Sequence, residues 1–186
     1  MRWHKLEPLF LRIPIGFMSR VRIFFYKIFG LKIGKLNRFE RGRMRRCKNI
    51  VIGDMNAFTQ GYFIWPIEEE SDDVKIVIGN NNYFNKNVMI DACNRIEIGD
   101  FTMIGPDTYI TDSNHTFGTG ITPSKQPMQK GKVKIGSNCW IGAKVVILKD
   151  VEIGDYCVVA AGSVVSSSFP NGSLIAGYPA RLIKRI

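Results

Sequence analysis

Aliphatic or aromatic residues return at every sixth position along most of this chain. Ile135, Ile141, Ile147, Ile153, Val159 and Val165 fall six apart without a break, and Ile98, Ile104 and Ile110 keep the same step. So do Ile78, Phe84 and Ile90, and Ile52, Phe58 and Ile64. Glycine follows many of them, at Gly53, Gly79, Gly99, Gly105, Gly136, Gly142 and Gly154, and Ile33-Gly34 reads as a degenerate start. Six is not a helical period. Six residues turn an α-helix through about 600° and scatter the apolar positions around its axis. One long strand would keep them on a single face but would give glycine no recurring place. A short strand plus a turn accounts for both, with the aliphatic pointing inward and glycine helping at the turn between faces. The pattern predicts an all-β chain, a parallel β-helix whose coils stack around a continuous apolar column.

Three stretches break the step. Residues 65–77 are acidic and read as a loop or irregular edge, residues 91–97 hold a small insertion, and residues 111–134 are the longest excursion. That last stretch is rich in Gly, Pro, Ser, Thr and Lys and contains His115. Long loops on a rigid scaffold are where function usually sits. Ahead of the repeats, Phe17, Met18, Val21, Phe24, Phe25 and Ile28 have helical spacing. Pro14 suits the first turn of that helix and Gly30 the residue after its end. The chain divides into a basic amphipathic arm, 1–48, and a β-helix domain, 49–186, with a projecting loop at 111–134.

Composition adds an asymmetry. The 186 residues suit one domain with an appendage, and the net charge is +10. Residues 1–48 carry 14 Lys and Arg against Glu7 and Glu40, a net +12, which leaves −2 for the rest. Such an arm attracts nucleic acid, anionic lipid or an acidic ligand, and charge alone does not choose. No nucleic-acid motif accompanies it, so no nucleic acid is expected. The helix either packs on the β-helix or a neighbouring subunit, or makes a peripheral membrane contact through residues 9–48. Arg12, Arg20, Arg22 and Lys27 interrupt its apolar runs, so neither a signal peptide nor a membrane span is expected. Cys47, Cys93, Cys139 and Cys157 form no CxxC pair and read as buried thiols of a reducing cytoplasm. His4 and His115 are the only histidines. A three-histidine zinc site is therefore excluded, and no metal is expected.

The hexapeptide units resemble those of the left-handed β-helix acetyltransferases, whose coils of three units make a triangular prism. The left-handed winding comes from this resemblance, which covers roughly residues 50–186. His115, in Asp112-Ser113-Asn114-His115, matches the catalytic histidine of the galactoside and maltose O-acetyltransferases. A neutral imidazole can take the proton of an alcohol as its oxygen attacks a thioester. Asp112 or a backbone carbonyl could fix the tautomer. Trp140-Ile141-Gly142-Ala143 matches a motif lying beside the thioester. Relatives often carry Ser at its last position, where Ala143 offers only its N–H. Ala161-Gly162-Ser163 matches the small segment along which the pantetheine arm lies, and Ser166-Ser167 stand where relatives often have Thr-Lys. Ala176-Gly177-Tyr178-Pro179-Ala180-Arg181 resembles the family ending, which makes Arg181 and Lys184 candidates for the nucleotide phosphates. Asn85 and Asp91 match residues that contact acceptor hydroxyls, with a spacing one residue shorter than in the galactoside enzymes. Asn at a coil edge also stabilises turns on its own.

The resemblance implies acetyl-CoA as co-substrate, a sugar or glycan-precursor hydroxyl as acceptor, and a homotrimer with active sites between prisms. The arm resembles those of surface-polysaccharide acetyltransferases, which places the expected location in the cytoplasm or at the inner membrane face. Two alternatives stand: a non-catalytic β-helix scaffold, and transfer to a non-sugar acceptor such as an amino-sugar, serine or a drug.

Overall fold

The computed structural model describes residues 7–67, 71–118 and 120–186, and their side chains from Pro14 onward. Helix α1 (Glu7–Ile28) precedes a stack of coils, each of three short strands. The first coil is β1 (Lys32–Ile33), β2 (Arg38–Phe39) and β3 (Arg43–Met44). The second is β4 (Ile50–Ile52), β5 (Ala57–Phe58) and β6 (Phe63–Pro66), and the third is β7 (Ile76–Ile78), β8 (Tyr83–Phe84) and β9 (Met89–Ala92). The fourth is β10 (Arg95–Ile98), β11 (Met103–Ile104) and β12 (Tyr109–Thr111). A hairpin of β13 (Ser113–His115) and β14 (Met128–Lys130) interrupts the stack. The fifth coil is β15 (Lys132–Ile135), β16 (Trp140–Ile141) and β17 (Val146–Ile147), and the sixth is β18 (Val151–Ile153), β19 (Val158–Val159) and β20 (Val164–Val165). Strands β21 (Ser173–Gly177) and β22 (Ala180–Arg185) close the far end as an antiparallel pair.

Like strands of successive coils pair in parallel to give three faces: β1-β4-β7-β10-β15-β18, β2-β5-β8-β11-β16-β19 continued by β21 and β22, and β3-β6-β9-β12-β17-β20. The prism is left-handed. The six-step residues are in register, as in Ile52 opposite Ile78, Ile78 opposite Ile98 and Ile98 opposite Ile135. Their side chains are buried and form the column. Phe39, Phe58 and Phe84 stack within it at centroid spacings of 4.4 and 4.3 Å and interplanar angles of 5° and 6°.

The edge between the first and second faces carries two rows of side-chain hydrogen bonds along the axis. In the outer row Asp54 Oδ1 accepts from Lys35 N–H, Asn80 Oδ1 from Asp54 N–H, Asp100 Oδ1 from Asn80 N–H, and Asp155 Oδ1 from Ser137 N–H. In the buried inner row Asn37 Oδ1 accepts from Asn56 N–H, Asn56 Oδ1 from Asn82 N–H, Asn82 Oδ1 from Thr102 N–H, and Thr102 Oγ1 from Cys139 N–H. Cys139 and Cys157 continue that row, their thiols donating to Gly154 and Pro170 carbonyls at 3.1 and 3.3 Å. Burial pushes the Cys139 thiol up to about 11, which suits a thiol used as a donor. Each rung gives a corner N–H its acceptor and contributes about 1 kcal/mol net. The residue between the two rows sits in the left-handed region, as at Met55 (φ 59), Phe101 (φ 55) and Tyr156 (φ 57).

The glycines after the inward aliphatics do something other than ease the turn. The left-handed corner positions on that edge belong to Leu36, Met55, Asn81, Phe101, Asn138 and Tyr156, not to the glycines two residues earlier. A Cβ on Gly53 would lie 2.4 Å from Asn80 Oδ1 and 2.7 Å from Gly79 O, so glycine is required because one coil lies so close on the next. The expectation of a turn role is corrected accordingly.

Two boundaries also move. Residues 32–44, expected within the arm, are the first coil. Helix α1 extends back to Glu7, so Pro14 lies inside it and not in its first turn. Gly30 (φ 92) does end the helix: its N–H bonds Lys27 O and the Leu31 N–H bonds Tyr26 O. The helix covers the open end of the prism. Ser19 Oγ accepts from Phe39 N–H at 2.8 Å, Arg22 donates to Phe39 O at 3.3 Å, and the Tyr26 and Tyr62 hydroxyls bond each other at 2.9 Å. The exposed edge of β2 is thereby satisfied, as a capping unit must do for a stacked array. No described helix is long and apolar enough to cross a membrane.

Gly99→Ala puts a Cβ 2.8 Å from the Gly136 carbonyl carbon and is expected to cost about 1–3 kcal/mol. Gly16→Ala, with nothing within 4 Å, is expected to gain up to about 1 kcal/mol from helix propensity. Urea unfolding of both variants checks the contrast.

Candidate active site

Four of the residues singled out in the sequence meet in one groove. Asn85, Trp140, Ala143 and Ala161 line a cavity of about 580 Å³ on the second face and its edge with the third. Its floor and walls are the outward row Tyr83, Met103, Trp140 and Val158, which are register neighbours, with Gly105, Pro106 and Gly142 at the edge. Small residues keep it open: a Cβ on Gly142 would meet the Ala161 backbone at 2.5 Å. Tyr83, Met103 and Val158 were not singled out. The signal for them is the register itself, since each immediately precedes an inward residue, as Trp140 precedes Ile141.

Backbone donors face this edge. Asn85 Oδ1 accepts the Lys86 N–H at 2.8 Å, and Glu40 Oε2 the Gln60 N–H at 3.2 Å. Pro106 has no N–H. Gly142 and Ala160 lack a side-chain acceptor, and the N–H groups of Ala143 and Ala161 donate to no described acceptor. Ser163, of the Ala161-Gly162-Ser163 segment, is buried and structural: it donates to Ala160 O at 2.7 Å and accepts from Gly177 N–H at 3.2 Å.

A second group lies across the third face. His115 is exposed, on β13 of the hairpin, opposite Met128. The hairpin leaves from the edge between the third and first faces. Asp112 sits at its root, fully buried, and its carboxylate accepts from the N–H groups of Cys93 at 2.6 Å, Asn94 at 2.8 Å and Arg95 at 2.5 Å. Both its oxygens are thus engaged: of the two candidates for fixing the imidazole tautomer, Asp112 is occupied in holding the hairpin's root to the 93–95 turn. Burial raises its carboxyl above the usual range despite the three donors. Beside it on the third face, Asp91 is opposite Thr111 and Trp65. Tyr109 Oη bonds Asp91 Oδ2 at 3.2 Å, while the buried Asp91 Oδ1 and Trp65 Nε1 have no partner. Burial also raises the Asp91 carboxyl, and the charge of Asp112 adds to this. Trp65 was read only as the start of an acidic loop. The structure places it within β6.

The remaining candidates stand apart from the groove in one chain. Ser166 and Ser167 are exposed after β20, and Arg181 and Lys184 are exposed on β22 at the far end of the second face. Within one chain the two groups lie on opposite edges of the third face. The groove half holds Asn85, Trp140, Ala143 and Ala161, and the hairpin half holds His115, Asp91 and Trp65.

Comparison with known proteins agrees with this arrangement of strands. A family model described as bacterial transferase hexapeptide (six repeats) matches residues 132–167. The galactoside O-acetyltransferase of Escherichia coli (strain K12) is 36% identical over 111 residues, 60% of this chain and 54% of that protein. The chain is similar to hexapeptide-repeat acetyltransferases over about 60% of its length. A hexapeptide-repeat acetyltransferase from Vibrio cholerae, solved with acetyl coenzyme A, superposes with a TM-score of 0.63 at 28% identity, covering 74% of this chain and 70% of that one. AntD, an N-acyltransferase from Bacillus cereus solved with dTDP and 3-hydroxybutyryl-CoA, shares the fold with a TM-score of 0.72 at 23% identity, covering 88% and 87%. The chain spans 60% or less of the length of each of three curated relatives that it matches.

Asp112→Ala leaves three backbone donors, that of Cys93 buried, without their acceptor and is expected to cost about 3 kcal/mol. It is also expected to make residues 116–127 a preferred site of limited proteolysis. Thermal unfolding and protease mapping check both.

Proposed function

We propose that this protein is an acetyl-CoA-dependent O-acetyltransferase acting on a hydroxyl of a sugar or glycan precursor, with His115 as general base, in sites shared between prisms of a homotrimer. The observation that carries the reading is the groove of small residues with two open N–H donors. An extended acyl-pantetheine arm needs close approach to backbone and hydrogen-bond donors along its length. Ala143 N–H is placed to meet the thioester oxygen as it becomes an oxyanion, and Arg181 and Lys184 at the far end suit nucleotide phosphates.

In this reading an imidazole nitrogen of His115 takes the hydroxyl proton as the acceptor oxygen bonds the thioester carbon. The tetrahedral oxyanion then collapses, the C–S bond breaks, and the imidazolium returns the proton to the leaving CoA thiolate. Atoms balance without a metal or redox partner. Asn85 on the groove edge, with Asp91 and the orphaned Trp65 Nε1 on the hairpin half, supplies donors and acceptors for sugar hydroxyls. Next to Asn85, the same edge continues into a cavity of about 510 Å³ lined by Arg41, Arg43 and Lys86, which favours an acceptor that carries a phosphoryl group. In this reading a neighbouring prism brings His115 to the groove, since the two groups lie on opposite edges of one face.

The test is release of CoA thiol from acetyl-CoA across free sugars, nucleotide sugars and glycans, with calorimetric CoA binding alongside. His115→Ala is expected to lower turnover by about 100-fold or more with CoA affinity unchanged. Ala161→Leu is expected to weaken CoA binding by about 10-fold or more with no loss of thermal stability, because that position is exposed. Absence of both CoA binding and release would favour a scaffold role.

A further inference from the structure

Helix α1 has two different faces. The inward one, Ser19, Arg22, Ile23 and Tyr26, lies on β2 and closes the prism. At about 100° per residue, Phe17, Phe24 and Ile28 centre on the opposite side of the helix, with Met18, Phe25 and Phe29 along one flank and Arg20 and Lys27 along the other. These apolar side chains are open: Phe17 is 68% exposed, Phe24 61%, Ile28 61% and Phe29 66%. Burying this much aromatic surface is worth a great deal, and a soluble face of this composition marks an interaction site.

The charge around it is one-sided. Residues 14–48 hold eleven Lys and Arg against a single acid, Glu40. In the coil directly behind the helix, Lys32, Lys35, Arg38, Arg41, Arg43 and Arg45 are all exposed. The patch lies at the end of the prism, whereas the groove and the hairpin lie along its length.

We propose that this face docks on an anionic lipid bilayer, with the apolar row entering the interface and the cations of the first coil meeting the headgroups. The geometry is that of an interfacial helix lying in the membrane plane. The prism would then stand on the membrane by its capped end. A second copy of the chain is a poor occupant, because two such cationic ends would face each other. An anionic surface is complementary, and each nearby Lys or Arg adds to the attraction within a Debye length. This inference does not depend on the acetyltransferase reading: it uses neither the groove nor His115, and it shares with that reading only Arg41 and Arg43.

The experiment is co-sedimentation of the full chain with phosphatidylcholine vesicles, with and without phosphatidylglycerol, at low and high salt. The triple variant Phe17→Ser, Phe24→Ser and Ile28→Ser is run in parallel. These side chains are exposed, so the variant is expected to fold, which its circular dichroism melt verifies. The wild-type chain is expected to bind phosphatidylglycerol vesicles, with a loss of about ten-fold or more both in the triple variant and at high salt. Equal binding by the variant, or no binding by the wild-type chain, overturns the proposal. So does a fall in the variant's solution mass by sedimentation equilibrium, which would assign the face to another copy. Salt-sensitive capture of an oligonucleotide without capture of vesicles would assign the cations to nucleic acid and overturn it as well.

Discussion

Everything in this molecule follows from laying one coil directly on another at the spacing of a β-ladder, about 4.8 Å. At that spacing an inward side chain touches its equivalents above and below, which gives a column such as Phe39, Phe58 and Phe84. It also brings the backbone at one edge so close that Gly53, Gly79 and Gly99 tolerate no Cβ. Each corner amide then needs an acceptor from the adjacent coil, and the rows through Asn56, Asn82, Thr102 and Cys139 provide it. A stack of this kind has two raw ends. Helix α1 satisfies one through Ser19 and Arg22, and the β21–β22 pair closes the other.

The same repetition decides where chemistry can sit. The rows of hydrogen bonds occupy the first edge. The second edge gives up its side-chain acceptors after Gly142 and Ala160, which leaves donors and space in the groove. The third edge throws out the hairpin with His115, fixed at its root by Asp112. The groove and the hairpin thus lie on different edges of the prism. The proposed trimer would let the groove of one chain work with the histidine of its neighbour.

Much of this was legible in the sequence, and for a physical reason. Burial of the inward column imposes the six-step on Ile52, Ile78, Ile98, Ile135 and Ile153, so the period reports the fold directly. Trp140, Ala143, Ala161 and Asn85 were legible through their motifs, and the structure places them together. The glycines were misjudged, because a sequence shows glycine without showing whether freedom or close approach requires it. The roles of Cys139 and Cys157 were hidden, since a thiol that replaces Asn in a hydrogen-bonded row looks like any buried cysteine. Trp65 was hidden behind an acidic stretch, and the pairing of Asp112 with the 93–95 turn spans coils that no local pattern connects. The outer face of α1 was legible as apolar, but which half of it the prism would bury was not.

The central claim is that a groove on one chain works with His115 of another. Complementation measures it most directly. The variants His115→Ala and Ala161→Leu are unfolded, mixed in equal amounts and refolded together, and acetyl transfer is assayed at an acetyl-CoA concentration low enough that each variant alone is nearly inactive. Sites shared between chains predict recovery of about a quarter of wild-type activity, because random assembly pairs an intact groove with an intact histidine at about that fraction of interfaces. No activity above the unmixed variants, in assemblies shown to contain both chains, would contradict the account and confine the site to a single chain.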